Sequence, residues 1–344
     1  MAVIAFVTET DAAHRGAYQQ ALRDIDEVGD VLLVDPTGGT FNESRAVIGP
    51  KTTSTFASVD ALVTEVVPDL AIVSMIAAHA PPIIHTLLES GIHVMAEKPA
   101  CVRPADFAAL VQRAAAKDRH LMLALADRLR ADVLDARRIV QSGGIGSLFA
   151  VQVTQVDDQA RIQARLHDPD WTFRRELAGG GHLAWLGIHN LDQVLYVTGD
   201  RVVEVGAMTP VVGGAAIDVE DLAMVHMRLA GGAHVSVFSG YLMDRKGHSA
   251  TTYYGSDGWV RLNMFGNNTL EWHSTQSVMH GAHDRRITYT GQGAGYTEWV
   301  RAVVRASMDA APAPVTGVEC LDVLRVIHAA YAAAESGKTV MVSE

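Results

Sequence analysis

Cysteine is nearly absent: the 344-residue sequence has two, Cys101 and Cys320, far apart and without C-x-x-C spacing. That excludes a disulfide framework and a cysteine zinc site, and it fits a reducing, cytoplasmic setting. Positive charge is also scarce. The formal net charge is −11 and no basic run offsets it, so neither a nucleic acid nor an anionic membrane is an expected partner. No apolar stretch approaches the ~18–20 residues needed to span a bilayer. The first residues, MAVIAFVTETD, lack a basic n-region and read as a strand rather than a signal peptide. Sequons at Asn42 and Asn267 carry no meaning without secretion. One further absence is local. VIAFV is a buried-strand pattern with a helix expected from Ala12 or Ala13, which is where a dinucleotide-binding domain keeps its G-x-G-x-x-G turn, yet no glycine lies between them.

What is present describes a globular chain with ample core, 49% hydrophobic and 19% charged. The first ~145 residues alternate short apolar runs with helical patterns, the grammar of βαβ units. Strands are expected at Val3–Val7, Val31–Asp35, Ala71–Ile76, His93–Glu97 and Leu121–Ala126. Helices are expected through Tyr18 and Leu22, near Val59–Val67, after Pro81-Pro82, and over PADFAALVQRAAAKD. Right-handed crossovers in this order build a doubly wound parallel sheet. After Gly146 the pattern changes to alternating runs such as LFAVQVTQVDD and DLAMVHMRLAGGAHVSVFSGYL, with Gly231-Gly232 as a hairpin turn. Helices are expected at Ile188–Val197 and across Cys320–Ser336. The reading is α/β plus α+β: a Rossmann-like domain over 1–126, then an α+β domain with an open, mainly antiparallel sheet over 127–344. The last helix, 319–336, is a candidate to pack back on the first domain.

Two stretches carry chemistry. In GIHVMAEKPACVRP, Lys98 follows a strand at the edge where α/β folds bind ligands. In GGGHLAWLGIHNLDQVLYVTGD, a triple glycine leads into a helix with His189 and Asp192 three residues apart on one face. Together these resemble the glucose-fructose oxidoreductase/inositol dehydrogenase family (Gfo/Idh/MocA). The resemblance covers nearly the whole chain and includes Asp35, Arg128, Ser142–Gly146, Trp171, Gly179–Gly181, Gly187 and Gly199.

The resemblance implies an NAD(P)-dependent enzyme acting on a sugar or cyclitol hydroxyl. It implies that Lys98 hydrogen-bonds the reacting alcohol and His189 serves as base or orients the substrate. Hydride leaves a secondary alcohol only as its proton is taken, so a base and a nearby cation suit the reaction. Asp192 joins them as a catalytic candidate or as an intrahelical partner. Cofactor-binding candidates are Thr8, Thr10, Asp35, Met75, Glu97 and Lys98; substrate candidates are Arg128, Trp171, His182 and Trp185. No metal is expected: His280 and His283 of HGAH lack further ligands at metal spacing.

The sequence departs from the family at three places. Phe6, Thr8 and Asp11 stand where the three glycines belong when His14 is aligned, and a carboxylate at a helix N-terminus competes with phosphate; Thr10 or Asp11 could instead be a plain N-cap. The T-P-P-x-x-H segment after the third long strand reads Met75-Ile76-Ala77-Ala78-His79-Ala80, with His79 a displaced equivalent or a loop residue. The acid four residues before His189 is replaced by Trp185, which could stack on a sugar ring or belong to the core. Asp35 either accepts from a ribose 2′-hydroxyl, favouring NAD over NADP, or starts a turn before Pro36. Two alternatives to the dehydrogenase stay open: a relative using bound NAD transiently around glycoside cleavage or elimination, and a cofactor-free sugar-binding or regulatory protein. The open sheet argues for a homodimer or homotetramer.

Overall fold

The computed structural model describes residues 1–342 apart from 160–161, 163–170, 244, 264–267, 277–284 and 291–294. His280, His283 and the sequon at Asn267 lie outside the described residues. The chain divides into two compact units. The first is Met1–Ala126 with Glu176–Gly179 and Ala294–Leu321; the second is Asp127–Arg175 with Gly180–Gly293 and Asp322–Glu344. The first division thus falls after Ala126, while two later segments, outside the expected 1–126 domain, return to the first unit.

In the first unit, β1 (Ala2–Thr8), β2 (Val28–Val34), β3 (Thr52–Phe56), β4 (Leu70–Ser74), β5 (His93–Ala96) and β6 (Leu121–Leu123) form a parallel sheet in the order β3-β2-β1-β4-β5-β6. β1 and β4 are buried along almost their whole length. Such continuous apolar runs are what a parallel sheet covered on both faces requires. The order reverses between β1 and β4, so ligands belong at the carboxyl ends of those strands. Between the strands run α1 (Arg15–Asp24), α2 (Phe41–Ile48), α3 (Val59–Glu65), α4 (Ala80–Glu89) and α5 (Pro104–Ala116).

Three elements here have no counterpart in the sequence reading: α2, β3 and a helix late in the chain. β3, TTSTF, is a polar edge strand that buries only Phe56 fully, so it carries no apolar run to find. A helix over Tyr296–Ser307 buries Trp299, Val300, Val303 and Val304 and packs on α1.

The second unit holds β7 (Leu148–Asp158), β8 (Val202–Met208), β9 (Leu222–Leu229), β10 (His234–Met243), β11 (His248–Gly255), β12 (Gly258–Asn263), β13 (Thr269–Ser274), β14 (Arg285–Thr288) and β15 (Val340–Met341). Their order is β14-β13-β12-β11-β7-β10-β9-β8-β15, antiparallel except where β7 meets β10. β9 shows the expected alternation: Ala223, Val225, Met227 and Leu229 point inward while Met224 and His226 are exposed. The chain's helices continue with α6 (Ala131–Gln141), which packs on α7 (Ile188–Thr198) and on β12. The Tyr296–Ser307 helix of the first unit is α8, and α9 spans Gly317–Ser336. One face of the sheet exposes Met224, Phe238 and Tyr254. Among the described residues, no helix is long and apolar enough to cross a membrane.

Candidate active site

The glycine-free turn begins where β1 ends. Thr8 is buried, Thr10 and Asp11 are exposed, and the Ala12 amide donates to the Glu9 carbonyl at 3.1 Å. α1 starts at Arg15, later than the expected Ala12 or Ala13, and neither Thr10 nor Asp11 is its N-cap. His14 holds that position in a left-handed conformation (φ 57) with no side-chain cap. The reason is that the Glu9–Ala12 turn uses up the residues that would have formed the first helical turn. The Glu9 carboxylate accepts from the Ile76 amide at 2.7 Å and faces His79 Nδ1 at 3.1 Å. His79 is thus tied to the turn, and Met75, next to Ile76, is buried. Arg15 donates from Nη1 to the carbonyls of Glu9 and Thr10, and Nη2 lies 2.7 Å from Glu43 Oε2.

Asp35 is fully buried. One carboxylate oxygen accepts from the Thr37 amide and hydroxyl, the other from the Thr40 amide and hydroxyl, at 2.7–2.9 Å. Burial opposes its ionisation, but the hydrogen bonds from Thr40 and Thr37 prevail and hold its pKa below the usual carboxylate value. With four donors satisfied, Asp35 shapes the loop at the end of β2, as an Asp-Pro turn does.

Glu97 and Lys98 follow β5 and are both buried at 2% exposure. Glu97 accepts from the Tyr18 hydroxyl, faces His14 Nδ1 at 3.3 Å and lies 3.7 Å from Lys98 Nζ. Burial alone would raise the Glu97 pKa; His14, Lys98 and Tyr18 together lower it. Burial, then the Glu97 charge, push the Tyr18 hydroxyl well up, which keeps it a donor. Tyr296, on α8, closes the cluster by stacking edge-on against Tyr18 and tilted against His14, at 5.1 and 5.2 Å. A lysine is rarely buried this deeply unless it is paired, and Glu97 supplies the partner.

In the second unit, the triple glycine has a steric cause. A Cβ on Gly181 would overlap the Glu220 carbonyl, and one on Gly180 would overlap the Tyr331 hydroxyl. The Glu220 carboxylate accepts from the amides of Gly181 and Leu183 at 2.7 and 2.9 Å and from Tyr331 at 2.9 Å. Burial pushes the Glu220 pKa up despite those bonds.

His182, fully buried, places Nε2 3.1 Å from Asp157 Oδ2 and Nδ1 2.7 Å from the Ser239 hydroxyl, with Tyr241 edge-on at 4.5 Å. Gln155 also donates to Asp157 Oδ2 at 2.7 Å. Trp185 lies in a π-helical turn, Leu183–Gly187, immediately before α7. The structure brings it against Trp171: the two indoles meet edge-on at 5.3 Å, both under 10% exposed. His189, in the first turn of α7, is partly exposed.

Arg128 and Asp192, read as separate candidates for substrate and catalysis, are joined. Arg128 Nε donates to both carboxylate oxygens at 3.0 Å and Nη2 to one at 2.7 Å, with both side chains under 5% exposed. Tyr196 lies under the guanidinium at 4.8 Å. The pair links α7 to the segment entering α6.

Two family models match the chain, "Oxidoreductase family, NAD-binding Rossmann fold" over residues 30–125 and "GFO/IDH/MocA C-terminal domain" over 133–261. The chain belongs to the Gfo/Idh/MocA family. It is an oxidoreductase of that family with an NAD-binding Rossmann unit. The first match begins after the glycine-free turn, so the departure seen there lies outside it. A scyllo-inositol 2-dehydrogenase (NADP(+)), IolW, of Bacillus subtilis is 22% identical over 276 residues, 75% of each chain. Among solved structures, an oxidoreductase domain protein from Kribbella flavida superposes with a TM-score of 0.85 at 21% identity over 100% of both chains. A levoglucosan dehydrogenase in complex with NADH and L-sorbose gives 0.87 at 17% identity, again over 100% of both.

Several residues that build the site were not found from sequence. Glu220 and Tyr331 sit 111 positions apart, and their hydrogen bond belongs to no sequence motif. Asp157 closes an alternating strand and carried no motif. Arg15, Tyr18 and Tyr296 likewise belong to no motif; a helix pattern over YTEWVRAVV was the available signal for the last.

Proposed function

We propose that the protein oxidises a hydroxyl of a sugar, sugar derivative or cyclitol, or reduces the matching ketone, with NAD. The observation that carries this reading is Lys98, an ammonium buried at the carboxyl end of β5 beside Glu97 in an NAD-binding unit. The sugar and cyclitol chemistry named for the levoglucosan and inositol dehydrogenase relatives supports the substrate class.

The first unit's residues fit the cofactor. The order reversal at β1 and β4 opens the crevice, and the Arg15 Nε in the turn is buried without a partner, a donor suited to an anion. The turn 8–14, the Thr37–Gly39 loop and the Met75 segment would hold it; the loop contains no arginine for a 2′-phosphate, which favours NAD over NADP. NAD, when bound, takes or returns the hydride. Lys98 hydrogen-bonds the alcohol oxygen and offsets the charge that develops as its proton leaves. His189 takes or returns that proton. Trp171 and Trp185 offer indole surface against the apolar face of a sugar ring. His182, held by Asp157 and Ser239, keeps its loop in place for them.

The test is a screen of sugars and cyclitols against NAD(H), with Lys98→Met and His189→Gln beside the wild type. Turnover should appear with a polyol, and Lys98→Met should lower kcat by roughly 10²–10⁴-fold with NADH affinity kept within a few-fold. Full activity in Lys98→Met would refute the assignment.

A further inference from the structure

The segment between β1 and α1 reads ETDAAH, and its carboxylates, Glu9 and Asp11, set it against a dinucleotide's pyrophosphate, which carries two negative charges. In a glycine turn the backbone amides make the close approach. Here the Ala12 amide is already donated to the Glu9 carbonyl, and side chains occupy the positions glycine leaves open. The turn does hold one strong cation. Arg15, first residue of α1, keeps its guanidinium against the turn, with Nη1 on the Glu9 and Thr10 carbonyls. Only Nη2 meets an acid, Glu43 at 2.7 Å, and that carboxylate's side chain is 50% exposed. Nε is buried with no hydrogen-bond partner. A guanidinium presents its donors as a planar fork suited to two oxygens of a phosphate, and a half-exposed ion pair is easily exchanged.

We propose that Arg15 binds the pyrophosphate of the dinucleotide, taking over by side chain what glycine amides do elsewhere, with Glu43 holding the guanidinium in place until the phosphate displaces it. This rests on the reading that the unit binds NAD. It places phosphate recognition on the Nε and Nη2 donors and makes Glu43 a competitor of the cofactor rather than a ligand.

Calorimetric titration of ADP-ribose, and ligand-detected titration of adenosine, into wild type, Arg15→Gln, Arg15→Lys and Glu43→Gln decides it. Arg15→Gln should weaken ADP-ribose tenfold or more while changing adenosine less than twofold, since only the first ligand carries phosphate. Arg15→Lys keeps the charge without the fork and should fall between. Glu43→Gln frees the guanidinium and should tighten ADP-ribose severalfold; because that side chain is half exposed, this variant leaves the fold intact. Equal losses for both ligands in Arg15→Gln, or no tightening in Glu43→Gln, would mean that Arg15 only braces the turn. Wild type that binds neither ligand would overturn the NAD reading itself, whereas normal wild-type binding with an indifferent Arg15→Gln would overturn the role of Arg15 alone.

Discussion

Lys98 Nζ and Glu97 Oε1 stand 3.7 Å apart with both side chains 1% exposed. Removing one partner of a buried pair leaves a charge without compensation. Glu97→Gln should therefore lower kcat about tenfold or more and lower Tm by several degrees. Steady-state kinetics and a thermal melt check this; wild-type kcat in Glu97→Gln would show that Glu97 does not serve Lys98.

Gly181 is expected to tolerate no side chain. Its Cβ would collide with a backbone carbonyl, that of Glu220, which cannot rotate away, and the hydrogen bond its amide donates to the Glu220 carboxylate would be lost with the shift. Gly181→Ala should cost about 3 kcal/mol or more, read by denaturant unfolding. A loss below ~1 kcal/mol would mean the loop relaxes around the added methyl group.

Arg128 and Asp192 should behave as a unit. Arg128→Met should destabilise by about 3–5 kcal/mol because it strands the buried carboxylate, and Arg128→Met with Asp192→Leu should recover part of that loss. A double-mutant cycle measures the coupling. Additive effects would dissolve the pair, leaving Arg128 a candidate for substrate binding and Asp192 one for catalysis.

Acid sensitivity should come from two imidazoles. Burial, then His120 and Arg119, lower the pKa of His93 from 6.5 to about 4, and burial lowers that of His328 to about 4. Above pH 6.5 both states are neutral and nothing is lost. Between about 6.5 and 4 the unfolded chain takes up protons that the folded chain refuses, so stability falls as pH falls. Tm should drop over that window, and His93→Gln should flatten the drop. An unchanged slope in this variant would move the acid sensitivity elsewhere.

The exposed Met224, Phe238 and Tyr254 share one face of the second unit's sheet. An apolar face of this kind is expected to be covered by a second copy. Sedimentation at micromolar concentration should show a dimer or tetramer, and Phe238→Glu should shift it toward monomer. A wild-type monomer would end that expectation.

Sequence alone determined the family, the two sheets and most of their strands, because βαβ spacing and period-two alternation are local properties of the chain. Lys98 and the triple glycine were legible for the same reason: each sits in a short, distinctive string. What only the tertiary structure decided was which groups spend their charge on one another. Asp35 accepts from Thr37 and Thr40, and Arg128 and Asp192, 64 positions apart, form one ion pair; no motif in the sequence announced either arrangement. Hydrogen-bond partners are set by distances across the fold, which no periodicity encodes, so the sequence showed where ligand chemistry could gather and the packing decided which side chains remained for it.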